Sequence, residues 1–439
     1  MRTLFVPLAV MALAAPPAFS QTAAGSNPLP LRQAAARTVE PAGPLDLRSA
    51  LALVQQFNPG LSAALHEREA GDAALVQAGA WPNPVLEAQV EDLRRDNRTT
   101  TLLLSQPIEL GGKRAARVTA AERARDQAAS AWLARRSGLR ASAITLFFEV
   151  LTAQERLRLA QDSVTLAQAA TRAAANRVAA GKVAPLEETR SRVAEAGIQV
   201  ELLQAEGTLR SARQQFAALW GNPNPRFTQA EGAVDRLPAV PSAQDAQSRL
   251  AAAPVLHQAR LEVERRQALS ALEQARRMPD LTVSLGAKRV LAEDGTGRGR
   301  NQVVVGLSVP LPIFDTNRGN VAEALSREEK ARDDLVAAEL QLGADVAQGI
   351  ERLRAARATA ETLQRDALPG AESAYKTATK GFELGKSSFL EALDAQRTLF
   401  QVRNQYLLAV AETHRAAGEL DRLLGTDGDE PLRAMAVAR

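Results

Sequence analysis

The side chains of this chain that could act on ions at a regular spacing are acids that follow two glycines. Glu187 and Glu391 lie at the same offset beyond Gly181 and Gly385, each of which interrupts a long helical pattern. Asp394 comes one helical turn after Glu391, so both carboxylates share one helical face. Acids at a helix start are also favoured by the helix macrodipole, so this spacing is equally compatible with an ordinary solvated helix start.

Other reactive chemistry is scarce in the sequence. The chain has no cysteine, which excludes disulfides, thiolate metal sites and a cysteine nucleophile. Its three histidines (His66, His257 and His414) are scattered without the spacing of metal ligands. No nucleophile with a base and no pair of buried carboxylates can be recognised. We therefore expect no catalytic residues, no metal site and no cofactor, and the protein is predicted not to be an enzyme.

Composition narrows the class further. Aromatic residues make up only 4% of the 439 residues, which favours narrow seams between helices over large globular cores. The net charge of +4 is balanced over 24% charged residues, so nucleic acid is not an expected partner despite the basic isoelectric point.

The N-terminus has the pattern of a secretory signal peptide. Arg2 supplies the positive end, residues 4–15 form a short apolar run, and Ala18 to Ser20 provide small residues for cleavage. No later segment is long and apolar enough to predict a transmembrane helix. The protein is predicted to be exported, and any entry into a membrane is expected to use strands.

An internal repeat of about 200 residues organises the chain. Landmarks recur in the same order at nearly constant offset: Pro59 and Pro254, Trp81 and Met278, Pro107 and Pro310, Gly181 and Gly385, Trp220 and Leu424. We predict a signal peptide (1–20), an extended segment (21–44), a first repeat (45–222), a linker (223–242), a second repeat (243–425) and a flexible tail (426–439). Each repeat is predicted to contain a medium helix (45–80 or 243–277), a strand pair (83–108 or 280–310) and a hairpin of two long helices.

The strands are amphipathic. Over residues 85–91, Leu86, Ala88 and Val90 alternate with Glu87, Gln89 and Glu91. Four such strands cannot close into a barrel, because closed barrels of this type begin at about eight strands. Two chains would give a barrel filled by its own side chains, whereas three chains would give about twelve strands and an open lumen. A trimer is therefore expected, with Glu87, Gln89 and Glu91 facing the lumen.

The helices are unusually long. The stretch 114–180 contains no proline, and at a rise of 1.5 Å per residue it would span about 100 Å. Such a helix needs partner helices along its length. Pro369 is expected to kink or interrupt the corresponding helix of the second repeat.

The segments SQPIELGGKR (105–114) and VPLPIFDTNRGN (309–320), the two glycine-centred tips and the duplication resemble the TolC-type outer-membrane factors. GGKR and PIFDTNRGN are most similar to the heavy-metal cation (CzcC-like) branch of that family. The resemblance covers residues 45–425 and implies a mixed α/β membrane protein. In such proteins a homotrimer combines a periplasmic α-barrel of helical hairpins with a twelve-stranded β-barrel in the outer membrane of a Gram-negative bacterium.

The resemblance also implies a function. The chain would be the passive, gated exit duct of a tripartite efflux system, working with a periplasmic membrane-fusion adaptor and an inner-membrane RND-type pump. Heavy-metal divalent cations (cobalt, zinc and cadmium) would be the cargo. A multidrug or type I secretion duct is an alternative within the same class. A periplasmic coiled-coil adaptor is an alternative from another class, and the duplicated strand pairs argue against it.

Particular residues receive roles from the same resemblance. The tips around Gly181 and Lys182 and around Gly385 and Lys386 would dock the adaptor, although a glycine at a helix C-terminus can also serve only as a left-handed cap. Glu187, Glu391 and Asp394 would form acidic rings at the closed periplasmic aperture. Rings of carboxylates favour cations and repel one another.

Overall fold

The computed structural model describes residues 39–92, 98–232, 236–290, 299–384, 386–387 and 389–425. The predicted signal peptide, most of the segment 21–44, Gly385 and the tail 426–439 lie outside the described residues. Mixed α/β architecture is confirmed, with long helices and an antiparallel sheet.

The first half begins with a short strand, β1 (Leu45–Asp46), and two helices, α1 (Leu47–Phe57) and α2 (Pro59–Ala78). A hairpin of strands β2 (Val85–Glu91) and β3 (Thr99–Ile108) follows. The chain then enters helix α3 (Lys113–Ala179) and returns in helix α4 (Pro185–Ala218).

The second half repeats this order after the short strand β4 (Ala230–Glu231), which pairs in parallel with β1. Helices α5 (Ala243–Ala251) and α6 (Pro254–Ala275) precede strands β5 (Leu281–Val290) and β6 (Arg300–Ser308). Helix α7 (Arg318–Thr362), a π-helical turn (Leu363–Ala367) and helix α8 (Leu368–Glu383) form the outgoing arm, and α9 (Phe389–Leu424) returns.

The single medium helices predicted for 45–80 and 243–277 are each split in two. Pro59 and Pro254 occupy the first turn of α2 and α6, where a missing N–H costs little and where the preceding residue is held out of the helical region. Asn58 makes the first break, because its side chain accepts a bond from the Leu61 N–H at 2.8 Å and donates to the Leu219 carbonyl at 2.6 Å. Each medium helix therefore changes direction at its proline.

The outgoing arms differ between the halves. Helix α3 runs for 67 residues without interruption, about 100 Å at the standard rise. In the second half the predicted interruption at Pro369 is confirmed, since the π-helical turn lies just before it and absorbs the missing hydrogen bond. The return helices α4 and α9 have 34 and 36 residues, about half the length of α3, and they end close to Trp220 and at Leu424.

The main core lies around the middle of α3. Phe147 and Phe216 pack edge to face at 5.9 Å, and Phe216 packs in the same way on Trp220 at 5.0 Å. Aliphatic residues of α1 and α9 complete the cluster. The N-terminal part of α3 packs on α2 and α6, and its C-terminal part packs on α4 and α9. None of the helices in the described part of the chain is both long and apolar enough to cross a bilayer.

Strands from both halves form one antiparallel sheet in the order β2-β3-β5-β6. Strand β3 of the first half pairs with β5 of the second along ten residue pairs, from Thr99 opposite Val290 to Ile108 opposite Leu281. Strands β2 and β6 are the outer strands of this sheet. The two halves are therefore joined into one sheet whose two edges belong to different halves.

Candidate functional site

The sheet has one continuous apolar face. The register places Leu86 opposite Leu104, Leu104 opposite Leu285, and Leu285 opposite Val305, so one aliphatic row crosses all four strands. Because side chains alternate along a strand, further aliphatic residues share this face: Ala88, Val90, Leu102, Val283, Ala287, Val303 and Leu307. Eight large side chains of this face are at least half exposed: Leu86, Val90, Leu102, Leu104, Leu285, Val303, Val305 and Leu307. An apolar surface of this extent is typical of a face covered by lipid or protein.

The opposite face is predominantly polar. The same alternation assigns the three residues predicted for the lumen, Glu87, Gln89 and Glu91, to this face. Gln89 lies opposite Thr101, Thr101 opposite Lys288, and Lys288 opposite Gln302. Ser105 and Ser284 bond across the β3–β5 pair with 2.9 Å between their oxygens.

Two cations on this polar face were missed by the sequence reasoning. Lys288 and Arg300 share it with Glu87 and Glu91, so the face carries both signs of charge. The alternation that assigned the first strand also runs through Leu281–Val290 and could have identified Lys288. Arg300 could not be assigned without the register, because it is the first residue of β6 and its face follows from its pairing with Val290.

The centre of the sheet requires a glycine. A Cβ at position 286 would lie 2.1 Å from the Leu102 carbonyl oxygen and 2.9 Å from a Leu103 methyl group. Strands β3 and β5 therefore approach more closely here than any side chain permits. Such a close approach is a usual place for a sheet to bend.

The first helical tip is closed by a left-handed glycine. Gly181 has a φ of +67°, and its N–H donates to the Val178 carbonyl at 2.9 Å. The Lys182 N–H reaches back to the Arg177 carbonyl, also at 2.9 Å, which is the pattern of a helix C-terminal cap. Both Gly181 and Lys182 are exposed. The cap role of the glycine is thus accounted for, and its exposed surface is free for other contacts.

The second tip lies beside the first. Lys386 is exposed, and its N–H donates to the Gly381 carbonyl at 2.7 Å, while Gly385 lies outside the described residues. The Arg177 guanidinium of the first hairpin lies over the Phe382 ring of the second, 4.4 Å from its centre. This contact joins the ends of α3 and α8, so the fold brings together two tips that are about 200 residues apart in sequence.

The three predicted gate acids lie at the start of the return helices. Glu187 is half-buried in the first turn of α4, whereas Glu391 in the first turn of α9 and Asp394 one turn later are exposed. Glu188, the neighbour of Glu187, pairs with Arg192 at 2.5 Å. A ring of like carboxylates requires further copies of the chain, so the gate remains a prediction.

A groove beyond the gate acids was not anticipated from the sequence. Helices α3, α4 and α9 enclose a cavity of about 430 Å³. The Gln396 side chain is 93% buried there, and within the described part of the chain its amide nitrogen has no hydrogen-bond partner. Burial raises the pKa of Glu201 on the α4 side, and Arg156 opposes this shift. Helix α9 is about 200 residues away in sequence from the hairpin of α3 and α4, which is why no local pattern marks this groove.

The histidines lie in ordinary helical surroundings. His66 is exposed and bonds Glu69 at 2.9 Å, and buried His414 stacks on Phe148 with 3.6 Å between ring centres. Among the described residues no group of three or more histidine and acidic side chains could hold a metal ion.

Curated proteins with similar sequences include several metal-resistance proteins. The chain is 44% identical over 427 residues to the cobalt-zinc-cadmium resistance protein CzcC of Cupriavidus metallidurans. The alignment covers 97% of this chain and 100% of that protein. It is 28% identical to the nickel and cobalt resistance protein CnrC of the same organism, over 67% of this chain and 69% of that protein. The nickel-cobalt-cadmium resistance protein NccC of Alcaligenes xylosoxydans xylosoxydans is 27% identical over 64% of both chains.

Solved structures share the fold at lower sequence identity. CusC aligns with a TM-score of 0.73 at 17% identity, over 86% of this chain and 92% of that one. A membrane protein from Pseudomonas aeruginosa aligns with a TM-score of 0.75 at 20% identity, over the same shares of the two chains. This likeness confirms the mixed α/β fold expected from the resemblance.

The family assignment follows from a match over both halves. The family model described as outer membrane efflux protein matches residues 50–222 and 246–426. Together with a relative that is 44% identical over nearly the full chain, this match shows that the chain belongs to the outer membrane efflux protein family.

Proposed function

We propose that three copies of this chain form a gated exit duct through the outer membrane that exports divalent heavy-metal cations, chiefly cobalt, zinc and cadmium. The duct is passive and works with a periplasmic membrane-fusion adaptor and an inner-membrane RND-type pump. The observation that carries this proposal is the four-stranded sheet, with an apolar face, a polar face and two outer strands.

The sheet supports assembly from several copies. Each outer strand, β2 and β6, has a row of backbone N–H and C=O groups along its outer edge. These groups must be hydrogen-bonded before the sheet can lie in lipid. Four strands are too few to close on themselves, and three copies supply about twelve. In such a ring the row from Leu86 to Val305 faces lipid, and Glu87, Gln89 and Glu91 face the lumen.

The cargo is inferred from the relatives. Three of the similar curated proteins carry cobalt in their names as metal-resistance proteins, and one of them is 44% identical over nearly the whole chain. A duct of this kind needs no tight metal site, because a passage that held its cargo strongly would not release it. Cargo selection then belongs to the pump.

The helical tips supply the partner surface. Gly181, Lys182 and Lys386 are exposed at the ends of the two hairpins, which the contact of Arg177 with Phe382 holds side by side, and Gly385 belongs to the second predicted docking site. These tips dock the adaptor. Glu187, Glu391 and Asp394, at the start of the return helices, form the acidic gate.

Metal tolerance of a strain that lacks the gene tests the cargo. Growth is measured across gradients of zinc, cobalt, cadmium, copper and several lipophilic drugs, with and without the restored gene. Selective loss of tolerance to cobalt, zinc and cadmium is expected, with rescue by the wild-type chain. Rescue is expected to fail with Gly286→Val, whose side chain would meet the Leu102 carbonyl.

Membrane fractionation tests the channel itself. We expect a heat-modifiable trimer in the outer membrane. Sensitivity to drugs alone would overturn the metal cargo and keep the duct, whereas a soluble monomer would overturn the duct.

A further inference from the structure

The residues that follow β3 in the first half cross the residues that precede β5 in the second half, and we call this place the crossing point. It is filled by protein. After β3, the chain passes over the segment that precedes β5, and a Cβ at position 111 would lie only 2.8 Å from the Met278 Cβ and 3.2 Å from the Ala275 carbonyl oxygen. Asp280 accepts from the Leu110 N–H at 3.3 Å and from the Lys113 ammonium at 2.7 Å. The residues that follow β3 therefore pack closely on those that precede β5.

The equivalent positions at the outer edges are uncovered. After β6, Leu311, Ile313 and Phe314 are 74%, 71% and 99% exposed, whereas Ile108 at the end of β3 and Leu110 just after it are half-buried. Trp81, which corresponds to Met278 in the repeat, is 63% exposed before β2. One outer edge thus ends in an exposed apolar segment, and the other begins with an exposed ring.

Both features lie at the same level of the sheet. The register runs from Val85 to Ser105, from Ser105 to Ser284 and from Ser284 to Gly306. Strand β2 starts at this level and β6 ends just beyond it, so Trp81 and the segment 311–314 emerge at the same end. A cyclic ring joins the β6 edge of one copy to the β2 edge of the next.

A cavity beside Trp81 has the right position to receive the segment. It has a volume of about 460 Å³ and is lined by Ala74, Gln77 and Ala78 of α2 and by Trp81, Pro82 and Arg117. The Arg114 guanidinium covers one face of the Trp81 ring at 4.9 Å. In the filled crossing point, Ala275 and Met278 correspond to Ala78 and Trp81.

We propose that residues 311–314 of one copy pack on Trp81 and into the cavity beside α2 of the next copy, and that this contact seals the ring below the sheet. The occupant is a second copy of this chain, because the pseudo-equivalent site between the two halves is filled by the pseudo-equivalent segment. The inference rests on the proposed trimer and adds to it a specific contact between copies.

Cysteine pairs test this contact without background, because the chain has no cysteine. The double variant Trp81→Cys with Phe314→Cys is treated with a short bismaleimide cross-linker in outer membranes. Covalent dimers and trimers are expected on denaturing gels, and each single variant should stay monomeric. Val76→Cys with Phe314→Cys is the matched control, since Val76 is 79% exposed on the same helix but does not line the cavity. Leu110→Cys with Met278→Cys should cross-link within one chain and give no ladder.

Amine cross-linking of the wild-type chain separates this inference from the proposed function. A trimer without a ladder from the Trp81 and Phe314 pair overturns the contact and leaves the duct. Absence of a trimer overturns both.

Maleimide labelling of Phe314→Cys separates a protein contact from a lipid contact. The contact predicts that the thiol is protected in the detergent-solubilised trimer and becomes reactive when the trimer dissociates. Protection in membranes that is lost in the intact detergent trimer would assign the segment to lipid and overturn the proposal.

Discussion

Glu391 and Asp394 share one face of α9 at its start, and Glu187 lies at the matching start of α4. Their positions follow from the tips, because each return helix begins a few residues after its glycine. Acids at a helix start are stabilised by the macrodipole without any partner. Their positions alone therefore do not decide whether they form a gate. Conductance of variants can decide.

Removing the acids is expected to open the aperture. Glu391→Ala with Asp394→Ala shortens two side chains per copy at the predicted constriction and removes both carboxylates. Single-channel conductance in planar bilayers should therefore rise. Glu391→Gln with Asp394→Asn keeps the size and removes the charge, so preference for cations should fall with little change in conductance. Equal conductance in all variants would remove the gate assignment. Glu329→Ala with Asp334→Ala, on exposed parts of α7, is the control of equal charge change.

A buried acid near the N-terminus holds the linker onto the core. Glu40 is 2% exposed and accepts bonds from Trp220 Nε1 at 3.0 Å, from the Arg226 N–H at 2.6 Å and from the Phe227 N–H at 3.2 Å, and also from the Asn222 amide. Glu40→Gln would turn an amide group towards these donors. The free energy of unfolding is expected to fall by about 2–3 kcal/mol, which a lower thermal midpoint in detergent would reveal.

Glu231→Gln is the control for this prediction, because Glu231 is an exposed acid on the neighbouring strand β4. An equal thermal midpoint for Glu40→Gln and the control would show that Glu40 contributes nothing to the fold.

At the scale of elements, the two halves meet along α3 and α6. Glu262 of α6 accepts from Gln127 of α3 at 2.8 Å and pairs with Arg265 and Arg266 of its own helix at 2.9 and 2.7 Å. Hydrogen bonding from Arg265 outweighs burial, and together with Arg266 and Gln127 it lowers the pKa of Glu262 from 4.5 to about 2. A charged carboxylate is thus part of the contact between halves.

Acid should weaken this contact. Because the pKa is lowered in the folded chain, the stabilisation is fully present above pH 4.5 and is lost as the pH falls towards 2. Glu262→Gln should lower the thermal midpoint at neutral pH and flatten its decline over this window. Glu67→Gln, at an exposed site on α2 outside this contact, is the control and should keep the wild-type slope. A slope for Glu262→Gln that equals the wild type would contradict the assignment.

The polar face of the sheet makes a prediction about selectivity. Lys288 shares that face with Glu87 and Glu91, so it should reduce their preference for cations. Lys288→Glu is expected to raise the ratio of cation to anion permeability, with Lys288→Gln in between, as measured by reversal potentials in a salt gradient. Arg289→Gln, on the apolar face, should leave the ratio unchanged. A shift caused by Arg289→Gln and not by Lys288→Glu would reverse the assignment of faces.

At the scale of the whole molecule, the chain is one segment of a ring. Its sheet joins the halves through β3 and β5 and leaves β2 and β6 as outer strands. The internal crossing point uses an ion pair between Lys113, the first residue of α3, and Asp280. At the outer crossing point the corresponding residues are Arg318, the first residue of α7, and Asn83.

An acid at position 83 should strengthen the contact between neighbouring copies. Asn83→Asp would offer Arg318 of the next copy the carboxylate that Asp280 offers Lys113. We expect a gain of about 0.5–1 kcal/mol per contact, seen as a higher temperature of trimer dissociation in detergent. The gain should vanish in an Arg318→Gln background. A gain that persists in that background would show that the two sites do not meet.

The sequence by itself determined the local elements. Alternation located strands such as Val85–Glu91, glycines located the tips, and Pro369 located the break in the second outgoing arm. The lack of proline over residues 114–180 indicated the length of α3. Each of these features depends on interactions within a few residues, which a single sequence records.

Only the tertiary structure decided which elements meet. The pairing of β3 with β5, the placing of Lys288 and Arg300 beside Glu87 and Glu91, and the groove around Gln396 all join residues that are far apart in the chain. The same holds for the contrast between the filled crossing point at Met278 and the open one at Trp81. No local pattern encodes such contacts, because their energy comes from burial and register between distant segments.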